Sequence, residues 1–383
     1  MRRLFRIFTA KNAVKRAIYI HQHENWTQFE WNSDKILTLL AEVRNLQGRL
    51  LGKMGAYGFD LQNEAILETL TLDVLKNNEI EGEILDTEEV RSSIARKLGM
   101  DFSSNKPSTR YVDGVVEMML DATQNYLNPL TKERLCNWHA ALFPTGRSGM
   151  HPITVADWRK DDKGPMRVVS GAMGKEKIHF EAPDSKRVEQ EMQQFLEWFN
   201  TDTIIDDVLK AAITHLWFIT VHPFDDGNGR ITRAITDMQL ARSDKSQQRF
   251  YSMSNQILQE RKAYYRILGK TQKGKQDITQ WIVWFLNCLK NALLQSETIL
   301  ANVIQKAEFW NKHRTNPIND RQQKMLNKLF DDFKGKLTTS KWAKICKCSK
   351  DTALRDIQDL ERKGMLKKGE KSGRGTTYWI DFE

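Results

Sequence analysis

Residues 222–233, HPFDDGNGRITR, separate two segments in which apolar residues recur at three- and four-residue spacing. The preceding segment reads VLKAAITHLWFIT and the following one ITRAITDMQLARS, and both patterns are typical of helices. The tetrapeptide DGNG alone is a hairpin-turn signal, but these helical flanks favour a helix–loop–helix. Pro223 is expected to end the first helix by moving His222 out of the α region.

The glycines and arginines of this loop indicate an anion site. Gly227 and Gly229 permit backbone conformations that turn successive N–H groups inward. The second helix is expected to begin near Asn228, so its positive dipole end faces the loop. Arg230 and Arg233 lie one turn apart on that helix, and both can therefore reach one anion.

An acid and a base complete the loop. Asp226 beside a bound phosphate requires a bridging cation, and Mg²⁺ prefers one or two carboxylates together with phosphate oxygens. His222 supplies a base of suitable pKa at the edge of such a polyphosphate site. The combination predicts a nucleotide-dependent transferase.

The same residues match the motif of a known family. The chain resembles the Fic (filamentation induced by cyclic AMP) domain proteins over about residues 15–290, since every specified position of HxFx(D/E)GNGRxxR is present. The resemblance implies a mainly α fold: a helical Fic core with a β-hairpin flap, an N-terminal helical domain and a C-terminal winged helix. We place these domains at 96–300 for the core, 1–95 for the N-terminal domain and 316–383 for the winged helix. The matching residues are His222, Phe224, Asp226, Gly227, Asn228, Gly229, Arg230 and Arg233.

The resemblance implies adenylyl transfer (AMPylation) from ATP to a Tyr, Ser or Thr hydroxyl of a target protein. His222 would take the proton from that hydroxyl, and Phe224 would anchor the loop in the core. Asp226 would hold Mg²⁺. The phosphates would be held by the amides of Gly227 to Gly229 with Asn228 at the α and β positions, and by Arg230 and Arg233 at the β and γ end.

Two further segments resemble parts of Fic proteins. The hairpin at 166–183, with strands at 166–170 and 177–180, resembles the flap, whose edge would pin a target protein by strand addition at 166–180. A plain surface hairpin is the alternative. The stretch YSMSNQILQERKAYYRIL (251–268) resembles the part that encloses adenine, with Tyr251 or Tyr265 stacking on the base, whereas core packing is the alternative for these rings.

Residues 77–82, NNEIEG, lie near the end of a helix predicted over 63–85. Fic proteins with an N-terminal inhibitory helix carry (S/T)xxxE(G/N), where the glutamate pairs with the second arginine of the motif. Glu81 fits this pattern, and Asn77 stands where Ser or Thr is usual. A carboxylate on Arg233 would compete with the γ-phosphate, so the resemblance implies autoinhibition, and the same architecture could also remove AMP. A solvated glutamate at a helix end is the alternative.

The segment from Asn316 to Glu383 is basic, with 16 Lys and Arg against 10 Asp and Glu. Its pattern of helix, helix, recognition-type helix and two-stranded basic hairpin resembles a winged helix-turn-helix domain. Ser349 would cap the third helix, whose exposed side would offer Lys350, Thr352 and Arg355 to DNA phosphates. Protein docking through an ordinary basic face is the alternative for this segment.

Composition limits the remaining possibilities. The formal net charge of +10 suggests an anionic partner, and four cysteines in 383 residues form no disulfide framework, which favours a reducing cytoplasm. No apolar run approaches the roughly 18 residues of a membrane span. The basic stretch 1–17 lacks the apolar core of a secretory signal. Two hypotheses on function follow: an adenylyltransferase, or a DNA-binding regulator whose Fic core senses nucleotide. The oligomeric state, including a homo-oligomer, stays open.

Overall fold

The computed structural model of the chain describes residues 19–100, 106–162, 164–171, 175–330, 333, 335–369 and 376–382. The basic stretch 1–17 and the tips of the two predicted hairpins, 172–174 and 370–375, lie outside these ranges. The described residues are mostly helical with a few short strands, so the prediction of a mainly α fold is confirmed.

The chain divides into two compact units, Met1–Glu297 and Thr298–Glu383. The boundary falls within a long helix, and the predicted domain limits at 95, 300 and 316 stay predictions. None of the helices in the described residues is long and apolar enough to cross a membrane. Up to this boundary helix the α-helices are α1 (Ser33–Gly55), α2 (Phe59–Glu81), α3 (Thr87–Lys97), α4 (Arg110–Gln124), α5 (Lys132–Leu142), α6 (Ser185–Asn200), α7 (Asp207–Val221), α8 (Asn228–Asp244), α9 (Met253–Gln259), α10 (Arg261–Gln272) and α11 (Thr279–Lys312).

Helices α7 and α8 form the centre of the first unit and pack against each other. Every residue of α7 from Val208 to Val221 is buried, and α8 is buried over most of its length. A helix that is apolar on all sides has to be surrounded by protein, and α7 meets this description. The motif loop at 222–227 joins these two helices and is therefore fixed at both ends by the core.

Helix α2 packs against α8 and α9. It spans Phe59–Glu81, so it begins and ends four residues earlier than predicted, and Gly82 closes it in the left-handed conformation with φ of +94°. Glycine adopts this conformation without the steric cost of a Cβ, which explains why the helix stops there. Glu81 is consequently the last residue of α2.

A buried acidic pair ties α2 to α8. Asp73 accepts a hydrogen bond from Ser252 Oγ, and Asp237 on α8 pairs with Arg249 at 2.7 Å. Burial, followed by the nearby Asp73 carboxyl, raises the pKa of Asp237 well above its usual value. Burial and the neighbouring acid therefore disfavour the charged form of the Asp237 carboxyl.

Two antiparallel hairpins belong to the first unit. The strands β1 (Arg147–Ser148) and β2 (His151–Pro152) form one that the sequence did not predict. The strands β3 (Arg167–Ser170) and β4 (Lys177–Glu181) form the other, with a register shift between Val168 and Val169.

The second unit contains three further helices followed by an antiparallel pair of strands. Ser349 caps the third helix, since its Oγ accepts a hydrogen bond from Thr352 N at 3.0 Å. Its identity as a winged helix stays a prediction. The elements are α12 (Asp320–Phe330), α13 (Thr339–Cys346), α14 (Lys350–Arg362), β5 (Leu366–Lys368) and β6 (Tyr378–Ile380).

The second unit has a core of its own. The indole of Trp342 on α13 is fully buried there, together with Ile357 and Leu360 on α14 and Met365 before β5. A second tryptophan, Trp379 on β6, is 49% exposed. These two side chains offer a matched pair for measuring how much the core stabilises this unit.

We expect Trp342→Ala to lower the free energy of unfolding of the second unit by about 3–5 kcal/mol, because the buried indole leaves a cavity. Trp379→Ala should cost less than about 1 kcal/mol, since much of that ring is already in contact with solvent. Hydrogen exchange of the α13 and α14 amides measures both effects in the full chain. Equal effects of the two substitutions would contradict the burial of Trp342.

Candidate active site

His222 ends α7 in the left-handed conformation, with φ of 53° and ψ of 58°. Its N–H still donates to the Phe218 carbonyl at 3.0 Å, as a helix-capping residue does. Residues other than glycine are uncommon in this conformation. Pro223 excludes the right-handed α region for His222, as the sequence predicts, and surrounding contacts hold the backbone in the left-handed one.

Arg159 supplies those contacts. Its Nε donates to the His222 carbonyl at 2.8 Å, and its backbone N–H donates to the Pro223 carbonyl at 2.9 Å. The guanidinium is completely buried and also bonds Asp161 at 2.7 Å and the Pro183 carbonyl. Arg159 thus connects the backbone of His222 to the residues that follow β4.

The imidazole of His222 is oriented as a base. Its Nδ1 lies 3.2 Å from the Ile219 carbonyl, which can only accept, so Nδ1 carries the proton. Nε2 is buried and has no hydrogen-bond partner among the described residues. Burial, and after it the charge of Arg159, lowers the pKa of His222 to about 4. At neutral pH Nε2 therefore presents an unshared lone pair.

Asn228 and Phe224 stabilise the motif loop from within. The Asn228 amide accepts from Phe224 N at 2.9 Å and donates to Phe224 O at 2.8 Å. The Phe224 ring is fully buried and stacks on His139 with 4.3 Å between ring centroids. Asn228 was expected to contact phosphate, but these two bonds commit its side chain to the loop, and its backbone N–H remains for that purpose.

The two glycines serve different purposes. Gly227 is left-handed with φ of +78°, as predicted, and precedes the first turn of α8. Gly229 lies within that turn and is not left-handed, so the need for glycine there is steric. A Cβ at Gly229 would lie 2.1 Å from Glu81 Oε1, and the residue therefore has to be small.

Asp226 offers a half-buried carboxylate at the same place. Its Oδ1 accepts from Gly227 N at 2.6 Å and its Oδ2 accepts from Ser148 Oγ on β1. Each carboxylate oxygen keeps a further lone pair for a cation. In the described residues no group of three or more His, Cys, Asp and Glu side chains could hold a metal ion. A single carboxylate fits Mg²⁺, which takes most of its other ligands from phosphate and water.

Arg233 is 2% exposed and is held from α2. Its Nη2 donates to Glu81 Oε1 at 2.8 Å and to the Asn77 carbonyl at 2.9 Å, and its Nε donates to Asn77 Oδ1 at 2.5 Å. Burial opposes the charge, but the Glu81 carboxylate raises the pKa of Arg233 above its usual value. Nη1 has no hydrogen-bond partner in the described part of the chain.

Arg230 is buried as well and is held differently. Its Nη1 donates to the Tyr111 hydroxyl at 2.7 Å, and its guanidinium lies over the Phe143 ring, 5.0 Å from the centroid. Its Nε is without a hydrogen-bond partner among the residues described. Two buried cations with unused donors therefore stand beside the N-terminus of α8, which is the chemistry of a polyphosphate site.

One cavity brings most of these groups together. Tyr265 lines it as predicted, but Tyr251 does not: its ring is buried against Arg249 and its hydroxyl donates to Asp244 Oδ2 at 2.7 Å. The lining residues are Glu81 from α2, Ile219, His222, Asp226, Gly227 and Gly229 from the motif region, Val168, Val169, His179 and Phe180 from the β3–β4 hairpin, and Tyr264, Tyr265, Leu268, Gly269 and Gln272 from α10.

Several residues of this site were not predicted. Ser148, Arg159 and Tyr111 lie between 63 and 119 positions before the motif residues that they contact, and no local pattern marks them. Tyr264 directly precedes Tyr265 in the sequence, and the spacing that pointed to Tyr265 could have indicated both. Its hydroxyl is 3.0 Å from Nε2 of the buried His215.

The motif lies within a recognised domain. The sequence profile described as Fic/DOC family matches residues 129–240, which include the complete motif, and a profile described as a domain of unknown function (DUF4172) matches residues 19–100. A Fic/DOC domain is therefore present in this chain.

Curated relatives carry a more particular name. "Protein adenylyltransferase Fic" of Drosophila erecta is 31% identical over 27% of this chain and 19% of its own length. "Protein adenylyltransferase fic-1" of Caenorhabditis briggsae is 26% identical over 56% of this chain and 43% of its own length. The chain thus matches less than half of either relative.

A solved structure shares the fold. A Fic family protein from Desulfovibrio desulfuricans superposes with a TM-score of 0.50 and 18% identity, covering 90% of this chain and 95% of that one. This likeness supports the architecture of the described chain.

We expect Gly229→Ala to destabilise the protein by about 1–3 kcal/mol, because the new methyl group meets the Glu81 carboxylate. In a Glu81→Ala background the same substitution should be neutral or stabilise by up to about 1 kcal/mol, since alanine favours the helix. Chemical denaturation of the four proteins gives this double-mutant cycle.

Gly227→Ala is the control. The backbone at Gly227 is left-handed, and a Cβ there would lie 2.9 Å from the Phe143 ring, so this substitution should destabilise the protein whichever residue occupies position 81. Additive effects of Gly229→Ala and Glu81→Ala would contradict the close approach of the carboxylate to Gly229.

Proposed function

We propose that this protein transfers AMP from ATP to a hydroxyl group of a target protein. The observation that carries the proposal is a cavity lined by His222, whose Nε2 lone pair is unshared, and by the start of α8, the helix that also carries the buried Arg230 and Arg233 with their unused donors. The relatives named protein adenylyltransferase support the same activity.

In the proposed reaction His222 Nε2 accepts the proton of the target hydroxyl. The hydroxyl oxygen forms a bond to the α-phosphorus of ATP, and the bond from that phosphorus to the bridging oxygen breaks, so pyrophosphate leaves. The low pKa of His222 keeps the imidazole unprotonated and ready at neutral pH. A hydroxyl held near Nε2 in line with the leaving oxygen is the main requirement, because phosphoryl-type transfer depends chiefly on positioning and charge.

The phosphates would bind at the start of α8. Gly227 and Gly229 line the cavity, where free backbone N–H groups of the first turn would bind phosphate, and the unused Nε of Arg230 and Nη1 of Arg233 would bind the β and γ end. Asp226 would hold Mg²⁺, whose charge would offset that of the phosphates. Stabilising this charge is the largest contribution that such a site makes to the rate.

The two remaining walls of the cavity would receive the base and the target. Tyr264, Tyr265 and Leu268 on α10 form an aromatic and apolar surface suited to adenine. Val168 and Val169 of β3 line the same cavity. An extended target segment would add to the edge of the β3–β4 hairpin by backbone hydrogen bonds, which tolerate varied sequences.

Glu81 would act as an inhibitor of this reaction. Its carboxylate occupies the space over Gly229 and takes one N–H of Arg233 Nη2. A γ-phosphate cannot use that N–H while the carboxylate holds it, and the two negative groups repel each other. ATP would then bind with its α-phosphate out of line for attack.

Removing the carboxylate should activate the protein. We expect Glu81→Gly to increase auto-labelling by radiolabelled ATP by roughly tenfold or more, the scale of one charge-assisted hydrogen bond. Adding His222→Ala in that background should lower the transfer rate by roughly a hundred- to ten-thousandfold, since the general base is lost, and leave ATP affinity nearly unchanged.

Two neighbouring glutamates provide matched controls. Glu79 pairs with Lys76 on the outer side of α2 at 2.7 Å, and Glu83 is exposed beyond the helix end, so replacing either by glycine should not activate. If Glu81→Gly is no more active than wild type at any ATP concentration, its inhibitory role is wrong. Transfer that survives His222→Ala would refute the assignment of the base.

For the second unit we propose contact with DNA through α14. Lys350 and Arg355 are exposed on this helix, which begins at the cap formed by Ser349, and Lys368 at the end of β5 is exposed as well. These charges would meet phosphates while the helix enters the major groove.

Binding of duplex DNA should weaken steeply with salt, by a slope of about −0.9 per phosphate contacted, and Arg355→Ala should reduce that slope by about one contact. Deleting 316–383 should remove the binding and preserve transfer. Fluorescence anisotropy at several salt concentrations measures the slope. No binding at low salt would favour protein docking as the role of this unit.

A further inference from the structure

The C-terminal end of α2 engages both arginines of the motif, and Glu81 accounts for only part of this contact. Of the three hydrogen bonds that Arg233 donates among the described residues, two go to Asn77, one to its side chain and one to its carbonyl. Asn77 Oδ1 accepts the hydrogen bond from Arg233 Nε, whereas Glu81 bonds only Nη2. Removing the Glu81 carboxylate therefore leaves two of these three hydrogen bonds of Arg233 in place.

The adjacent residue on α2 reaches the other arginine. Asn78 Oδ1 accepts from the Tyr111 hydroxyl at 3.1 Å, and that hydroxyl accepts from Arg230 Nη1 at 2.7 Å. Asn77 Nδ2 also lies 3.4 Å from the Arg230 carbonyl. Two consecutive asparagines thus connect α2 to both cations of the proposed phosphate site.

We infer that Asn77 is a positioning residue for adenylyl transfer, which holds Arg233 toward the nucleotide whether or not Glu81 is engaged. On this inference, which rests on the proposed function, α2 is a lasting part of the nucleotide site as well as its inhibitor. Activation requires Glu81 to leave Arg233 while Asn77 stays in place.

The geometry of the guanidinium supports this division of roles. Asn77 binds the edge formed by Nε and Nη2, whereas Nη1 lies 3.3 Å from the place of a Cβ on Gly229 and so faces the start of α8. Once Glu81 leaves, one N–H of Nη2 becomes available beside the two of Nη1. Arg233 could then bind a phosphate through two nitrogens while its opposite edge stays fixed.

The packing of α2 argues against its removal as a whole. The side chains of Asn77, Asn78 and Ile80 are completely buried, and Asp73 lies in the acidic pair that connects α2 to α8. Taking α2 away would remove all three hydrogen-bond acceptors that Arg233 has among the described residues and would expose the buried side of this helix. Movement of Glu81 alone avoids this cost.

The inference is tested in the active Glu81→Gly background by adding Asn77→Leu, which removes the acceptor for Nε at similar volume. We expect kcat/KM for ATP to fall roughly ten- to a hundredfold, the worth of a hydrogen bond to a charged group. The affinity for AMP, measured by calorimetry, should not change, because AMP lacks the β and γ phosphates that Arg233 would bind.

Val74→Ala in the same background is the matched control, since Val74 is buried on α2 one turn before Asn78 and its side chain meets neither arginine through a hydrogen bond. It should lower the melting temperature and leave kcat/KM for ATP unchanged. Asn77→Ser, shorter and polar, repeats the test if Asn77→Leu does not fold, and it too should weaken ATP use selectively.

Unchanged kcat/KM in the Asn77 variants would overturn the inference, and so would a parallel loss of AMP affinity, which would indicate general disruption. Failure of the proposed function is a separate result. In that case Glu81→Gly alone shows no transfer of AMP, which overturns the proposed function and with it the inference that rests on it.

Discussion

A guanidinium that cannot lose its charge lies almost completely buried at the start of α8, and it requires partners there. Arg233 finds them on α2, whose last turn supplies a side-chain amide, a carbonyl and a carboxylate. This contact fixes the space that Glu81 occupies, as the last residue of a helix that ends at the left-handed Gly82. It also explains why position 229 is glycine, since the carboxylate rests where a side chain would otherwise begin.

The motif loop is held mainly by hydrogen bonds from side chains to its backbone. His222 keeps a left-handed conformation that costs on the order of 1–3 kcal/mol, and Arg159 together with the Asn228–Phe224 pair offsets this cost. The imidazole is oriented by the Ile219 carbonyl on the same helix, which accepts a hydrogen bond from Nδ1. Burial keeps the imidazole neutral. A preformed base and preformed donors reduce the reorganisation that the reaction would need.

Sequence periodicity predicted the helices on either side of the motif, and the family resemblance implied the mainly α fold. The proximity of Asp226, Gly227 and Arg233 could also be predicted, because these residues are close in sequence on one loop and the helix that follows it. Contacts between distant segments could not be read in this way. Arg159 and Tyr111 look like ordinary polar residues in the sequence, and Tyr251 looked like a ligand contact, since tertiary packing alone decides which aromatic faces the cavity. Asn228 was expected to contact phosphate, but its side-chain amide forms hydrogen bonds with Phe224 inside the loop.

The position of Glu81 within α2 has a further consequence. Helix ends fray at a small fraction of the free energy that opens a helix body, and hydrogen exchange is accordingly fastest in terminal turns. Glu81 is the final residue of α2, directly before the left-handed Gly82, whereas Asn77 lies one turn inside and is fully buried. The carboxylate therefore stands where the helix yields first and the amide one buried turn further in, so a brief unwinding of the helix end would free Arg233 of one partner and keep the other.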